Sequence, residues 1–126
     1  MATVENVTLS IAASTEKPGH SRISYSYVLH PAEQDCAGQR EFTVTVGLWG
    51  EDFFDDDVLA TELDEHTVKL AGSEPCEPVR VERAFEVETQ LLDEDLFGDD
   101  EVFLMVEARS GNDRASGKSN TVVGDF

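Results

Sequence analysis

Carboxylates crowd into two short segments of the chain. Residues 51–65 hold eight acidic side chains and no basic one, and residues 93–101 hold six acidic side chains and again no basic one. Acidic loops suit a hard cation such as Ca²⁺, which takes about six to eight oxygen ligands. The candidate calcium ligands in segments 51–57 and 93–101 are Asp52, Asp56, Asp57, Asp93, Asp95, Asp99 and Asp100.

The two acidic segments also resemble each other. Six of ten positions are identical between residues 48–57 and residues 91–100. Each segment follows one predicted strand and precedes another. In the usual strand order of a sandwich the two loops share an end, whereas an additional short strand at 67–70 would place them at opposite ends. Both arrangements are compatible with the sequence.

A helix–loop–helix calcium site does not fit the second segment. Read from Asp93, the loop has Asp95 and Gly98 in place, but Phe97 occupies a ligand position and Leu104 stands where a bidentate Glu is needed. Two alternatives to an ion site stay open. The carboxylates can form a solvated surface that keeps the protein in solution, or a surface that binds a basic protein.

Other residue types give little sign of catalysis or metal binding. The histidines, His20, His30 and His66, lack the spacing of transition-metal ligands. No nucleophile elbow or phosphate-binding glycine loop is present in the sequence. We therefore predict a non-enzymatic domain without a cofactor, apart from the calcium alternative. An enzyme acting on glycans is the remaining class, and nothing in the sequence favours it.

The two cysteines and the single tryptophan are the other residues of interest. Cys36 and Cys76 form a disulfide if the domain is exported and remain free thiols if it is cytosolic. Trp49, beside Gly50 and the first acidic segment, can anchor a partner or stack on a sugar. The interpretation we favour is that Trp49 caps the edge of the core.

Charge and hydropathy limit the partners. With 27 acidic and nine basic residues, the formal net charge of −18 repels nucleic acid and anionic membranes. No run of about 18 apolar residues suggests a membrane span. The N-terminal residues lack the basic and apolar regions of a signal peptide. We expect a soluble domain, either cytoplasmic or exported after removal of a signal.

Period-two alternation of apolar residues indicates the elements that position these side chains. It runs through residues 7–11, 23–29, 42–48 and 79–91, the last being one long strand or two joined by a bend near Arg83. Residues 101–109 are apolar on both faces, as in a central strand. A polar turn at 110–119 and a last strand at 121–123 follow. The 126 residues predict one all-β domain, an antiparallel immunoglobulin-like β-sandwich of seven or eight strands.

Two short stretches resemble known families. Residues 85–126, with an acidic turn between two strands, resemble the C-terminal half of a Calx-β repeat. That resemblance implies a β-sandwich, in some members a calcium-binding one, with matching carboxylates at Asp93, Asp95, Asp99, Asp100 and Glu101. Residues 118–123 are similar to the last strand of a fibronectin type III domain. Residues 1–40 match neither family.

The function predicted from sequence is a binding or structural module, as a subunit of a larger extracellular or multi-subunit assembly. Its partner is a protein, bound through the acidic loops or through a sheet edge. A homo-oligomer formed through a sheet edge is a further alternative. The alternative is a calcium-binding domain that uses both acidic loops.

Overall fold

Eight β-strands make up most of the described part of the chain. The computed structural model describes residues 2–32, 35, 40–51, 56–70, 77–89 and 100–124, and for 51, 56–63, 100 and 124 it describes the backbone alone. The strands are β1 (Thr3–Ala13), β2 (His20–His30), β3 (Glu41–Glu51), β4 (Asp56–Lys69), β5 (Val79–Glu88), β6 (Asp100–Ser110), β7 (Asp113–Lys118) and β8 (Val122–Gly124). No helix in these ranges is long and apolar enough to cross a membrane.

The strands form two antiparallel sheets. Sheet A has the order β1-β2-β5, and sheet B has the order β4-β3-β6-β7, with β8 pairing with β6 beyond the end of β7. The predicted fold class, an all-β antiparallel sandwich, is therefore confirmed with eight strands. The positions of β4 and β5 at the outer edges of their sheets matter for the side-chain cluster described below.

The core lies between the sheets and follows the alternation in the sequence. In β2 and β3 every second side chain points inward and is buried, while the residues between them are partly exposed. The fully buried side chains include Ile23, Tyr27, Leu29, Phe42, Val44, Val46, Leu48, Leu104 and Val106. The pleat sends alternate residues to opposite faces of a sheet, so one apolar face per strand supplies the core.

One predicted element differs from the structure, and the structure decides between two pairs of alternatives that the sequence left open. Residues 113–118 are not turn but strand β7, because Gly111, with φ of 60°, opens a tight turn that lets the chain pair back on β6. Residues 67–70 do not form a separate strand, since β4 continues unbroken to Lys69. Of the two alternatives for residues 79–91, the described part has the single strand, since β5 pairs with β2 in unbroken register through Arg83.

One side of the sandwich is closed by close backbone contact between β1 and β7. A Cβ atom added at Gly117 would lie 2.8 Å from Val7 Cγ2 and 3.0 Å from the carbonyl oxygen of Val4. Asn120 completes this seam: its Oδ1 accepts a 2.8 Å hydrogen bond from the amide of Leu9, and its Nδ2 donates a 3.1 Å bond to the Leu9 carbonyl. The Asn120 side chain thus takes the place of a neighbouring strand for β1.

Candidate functional site

The strand termini that border residues 52–55 and 91–99 lie at the same end of sheet B. Gly50 in β3 is paired with Asp57 in β4 on one side and with Val102 in β6 on the other. The end of β3 and the starts of β4 and β6 therefore lie side by side, about 5 Å apart from one strand to the next. We call this end of sheet B, with Glu51, Asp56, Asp57, Asp100 and Glu101 at its strand termini, the acidic end.

Of the two arrangements open from the sequence, the strand directions agree with the one in which the strand termini bordering both segments share an end. The separate strand at 67–70 that would have reversed the chain direction is absent, because those residues continue β4. The end of β3, the start of β4 and the start of β6 thus lie at the same end of sheet B.

The predicted calcium ligands are placed only in part. Asp56, Asp57 and Asp100 belong to strands rather than loops: the first two begin β4 and the third begins β6. Asp52, Asp93, Asp95 and Asp99 lie outside the described residues, as do Cys36 and Cys76 of the predicted disulfide. Among the described side chains, no group of three or more His, Cys, Asp or Glu is arranged to hold a metal ion.

A second group of polar residues, not identified from the sequence, links the edge strands of the two sheets. Asp64 on β4 accepts a 2.5 Å hydrogen bond from the Tyr25 hydroxyl and a 2.7 Å charged bond from Arg83 Nε. Next to it, His66 Nε2 lies 2.5 Å from the Tyr27 hydroxyl. We call these five residues the inter-sheet cluster. Asp64 and His66 pair with core positions of β3, and Arg83 pairs with Tyr25 on the inner face of sheet A, where its side chain is 41% exposed at the sheet edge.

Burial and charge shift the ionisation of the inter-sheet cluster. Burial raises the pKa of the Tyr25 and Tyr27 hydroxyls well above the usual tyrosine value, and the hydrogen bond to Asp64 adds to the effect at Tyr25. Burial lowers the pKa of His66, and the Arg83 charge lowers it further. Burial alone would raise the pKa of Asp64, but hydrogen bonds from Arg83 and Tyr25 outweigh it and hold that pKa below the ordinary value.

The carboxylate and the imidazole of the inter-sheet cluster are largely shielded from solvent. Asp64 and His66 are 15% and 9% exposed, and Asp64 is already engaged by two donors. His66 Nδ1 is buried without a hydrogen-bond partner and lies 4.0 Å from Asp64 Oδ2. The sequence signal that could have revealed this group was Arg83, a charge at an inward position of an otherwise apolar strand face.

The third region of interest is the outer face of sheet B around Trp49. Trp49 is paired with Phe103 across β3 and β6, and their rings lie 6.4 Å apart and nearly parallel, at 11°. Lys118 Nζ covers the Phe103 ring at 4.0 Å from its centroid. The interpretation of Trp49 as a cap on the core edge is wrong, because its strand position points away from the core, next to core-facing Leu48.

Comparison with known proteins adds no identification. Neither the protein-family models nor the curated proteins contain a match to this chain. The fold, the acidic end, the inter-sheet cluster and the outer face of sheet B are therefore the basis for assigning a function.

Proposed function

We propose that the chain is a non-enzymatic binding module that holds a basic protein partner at its acidic end, as one component of a larger assembly. The observation that supports this proposal is that the strand termini bordering the two acidic segments, the end of β3 and the starts of β4 and β6, lie at one end of sheet B. Carboxylates gathered at one end of a domain create a local negative potential, which attracts and orients a cationic partner.

The acidic end is a better candidate for docking than the sheet edges. Strands β4 and β5 carry the charged side chains of Asp64 and Arg83 on their inward faces. Inward-pointing charges on edge strands are a common device against pairing with a further strand, because an added partner would have to accommodate them. We therefore assign the partner to the acidic end rather than to the edges.

A comparison of two charge-matched variants tests this proposal. In the first variant, Asp52, Asp56, Asp57, Asp99 and Asp100 are replaced by Asn. In the second, five exposed carboxylates on the rest of the surface, Glu5, Glu41, Glu65, Glu77 and Glu82, are replaced by Gln. Both variants have the same net charge, so a difference between them reports location alone.

The probe is a lysine-rich peptide, titrated calorimetrically at low ionic strength. We expect the first variant to lose at least about tenfold in affinity, a change of about 1.4 kcal/mol, relative to the second. An equal loss in both variants would mean that the peptide senses only net charge, and the acidic end would then have no special role.

Calcium binding by the same carboxylates is the second candidate function. The adjacent strand termini favour it as well, since carboxylates at the end of β3 and at the starts of β4 and β6 begin from one end of sheet B, and one calcium ion takes about six to eight oxygen ligands. It also accords with the resemblance of residues 85–126 to a Calx-β repeat.

Thermal unfolding of chelator-treated protein separates this candidate from the first. With calcium at about 100 times its dissociation constant, the free energy of unfolding rises by about 2.7 kcal/mol. For a domain of this size the midpoint rises on the order of ten degrees. The rise should be absent with magnesium and should be lost in an Asp95→Asn, Asp99→Asn variant. An unchanged unfolding midpoint on addition of calcium at constant ionic strength would exclude the calcium-binding function and leave the binding of a basic protein.

A further inference from the structure

We infer that the outer face of sheet B carries a binding site for a neutral glycan, with a sugar ring stacked on Trp49. This site is separate from the acidic end and does not depend on the function proposed for it. Trp49 is the only tryptophan in the chain, and its side chain is partly exposed on the face opposite the core. An indole beside an open sheet offers a flat apolar surface to the C–H groups of a pyranose ring.

An open cleft runs along β3 and β6 from Trp49. Its volume is about 350 Å³, and it is lined among others by Thr45, Gly47 and Met105. Gly47 faces outward between Thr45 and Trp49, and it contributes no side chain. From Trp49 to Thr45 the cleft extends over four residues of strand, about 13 Å. A cleft of this length accommodates more than one linked ring.

The far part of the cleft is lined by hydrogen-bonding groups. Glu107 and Arg109 on β6 form an ion pair of 3.5 Å, with each side chain a little over 40% exposed. Ser116 on β7, paired with Glu107, and Thr45 on β3 add hydroxyl groups. Donors and acceptors thus stand beside an aromatic surface, as in small-ligand sites where a few polar groups fix the orientation of an apolar contact.

A sugar fits this cleft better than a peptide does. Strands β3 and β6 are interior to sheet B, so their backbone groups are already paired on both sides and cannot accept an added strand. The cleft is open to solvent, whereas anchor side chains of protein partners fill desolvated pockets. Hydroxyl groups around the rim of a sugar match the alternating donors and acceptors of Thr45, Glu107 and Arg109.

Charge selects a neutral glycan over an acidic one. The chain has a formal net charge of −18, which repels uronic acids and sulfated sugars before they reach the cleft. Arg109 does not offset this repulsion, because its guanidinium already has Glu107 as an ionic partner. An uncharged ligand is not subject to this electrostatic repulsion.

Affinity electrophoresis of the full chain tests the inference. The gels contain a neutral polysaccharide of glucose, mannose, xylose, galactose or N-acetylglucosamine units, and a matching oligosaccharide is then titrated while Trp49 fluorescence is followed. We expect at least one polysaccharide to retard the protein and its oligosaccharide to shift the emission in a saturable manner. Trp49→Ala should abolish the retardation, and Glu107→Gln should weaken it by about tenfold.

Two exposed residues provide the controls. Thr67→Ala on β4 and Glu41→Gln on β3 alter the same outer face away from the cleft, and should leave the retardation unchanged. Because Glu107 is half-exposed, Glu107→Gln carries the test even if Trp49→Ala unfolds. Absence of retardation by every polysaccharide, equal retardation of Glu107→Gln, or an emission change only with a lysine-rich peptide would each overturn the glycan site.

Discussion

The side chain that organises the inter-sheet cluster is Asp64. Its carboxylate accepts hydrogen bonds from Tyr25 on β2 and from Arg83 on β5, so one residue of sheet B is bonded to two strands of sheet A. A carboxylate that is 15% exposed has lost most of its hydration, and these donors replace it. Asp64 therefore stabilises the fold only while its partners are present.

Replacing Tyr25 by Phe should destabilise the domain by about 1.5–3 kcal/mol, because it removes a hydrogen bond to a charged acceptor. Tyr27→Phe is the matched control, since it removes a hydroxyl that is bonded to the His66 ring. Its expected cost is smaller, about 0.5–1.5 kcal/mol. Urea unfolding measures both, and a larger loss for Tyr27→Phe would contradict the central role of Asp64.

His66 should make stability depend on pH near neutrality. Burial and the Arg83 charge lower its pKa, Asp64 partly opposes them, and Tyr27 occupies Nε2. The unfolded state then binds a proton at about pH 6.5 while the folded state does not. Stability is therefore complete above that pH and is lost as the pH falls through the folded pKa.

The measurement is the free energy of unfolding at about pH 7 and about pH 5.5 for the native chain and for His66→Gln. The native chain should lose more stability over this interval than the variant does, because the variant has no proton to take up at position 66. The same loss in both proteins would show that His66 is not the residue responsible.

At the scale of elements, the seam between β1 and β7 holds the two sheets together on the side opposite the inter-sheet cluster. Gly117 allows the close approach, and Asn120 supplies the backbone-like hydrogen bonds to Leu9. A bulge in β1 accompanies it, with Asn6 in a left-handed conformation at φ of 52°. Asparagine adopts this conformation more readily than most residues do.

Gly117→Ala should destabilise the domain by about 1–3 kcal/mol, because the added methyl group meets Val7 and the backbone of Val4. The neighbouring Ser116→Ala points to the opposite, exposed face of β7 and should change stability by no more than about 0.5 kcal/mol. Thermal or urea unfolding compares them, and equal stability of both variants would argue against close packing at this seam.

Asn120→Ala should cost about 1–3 kcal/mol, since it leaves the amide and carbonyl of Leu9 without these partners. Asn112→Ala, at the exposed turn between β6 and β7, serves as the control for loss of an asparagine side chain. In hydrogen exchange, we expect the Leu9 amide to lose protection in Asn120→Ala but not in Asn112→Ala. Retained protection in both would exclude the proposed role.

Much of this architecture could be predicted from the sequence, and the failures have physical reasons. Alternation in residues 23–29 and 42–48 predicts β2 and β3 because a strand with one buried face must alternate. Strand β7 was missed since its core-facing residues are Ala115 and Gly117, which give no apolar pattern. The inter-sheet cluster was missed because contacts between Tyr25, Asp64 and Arg83 depend on which strands form the sheet edges.

For the whole molecule, the main feature is the uneven distribution of its negative charge. Glu51, Asp56, Asp57, Asp100 and Glu101 lie at the strand termini of one end of sheet B, whereas at the other end the basic residues Arg40, Lys69, Arg109 and Arg114 lie among acidic ones, including Glu41 and Asp113. A partner approaching such a molecule is oriented before contact, and the effect weakens as salt screens the field. The location of the acidic segments was open from the sequence because it depended on whether β4 is one strand or two.

The most direct test of binding at the acidic end is an amide chemical-shift titration of the native protein with a lysine-rich peptide at low salt. We predict saturable shifts with one dissociation constant at Gly50, Asp57 and Glu101, and none at Thr3 or Lys69 near the opposite end. Shifts spread over both ends, or centred on the edges of β4 and β5, would contradict binding at the acidic end.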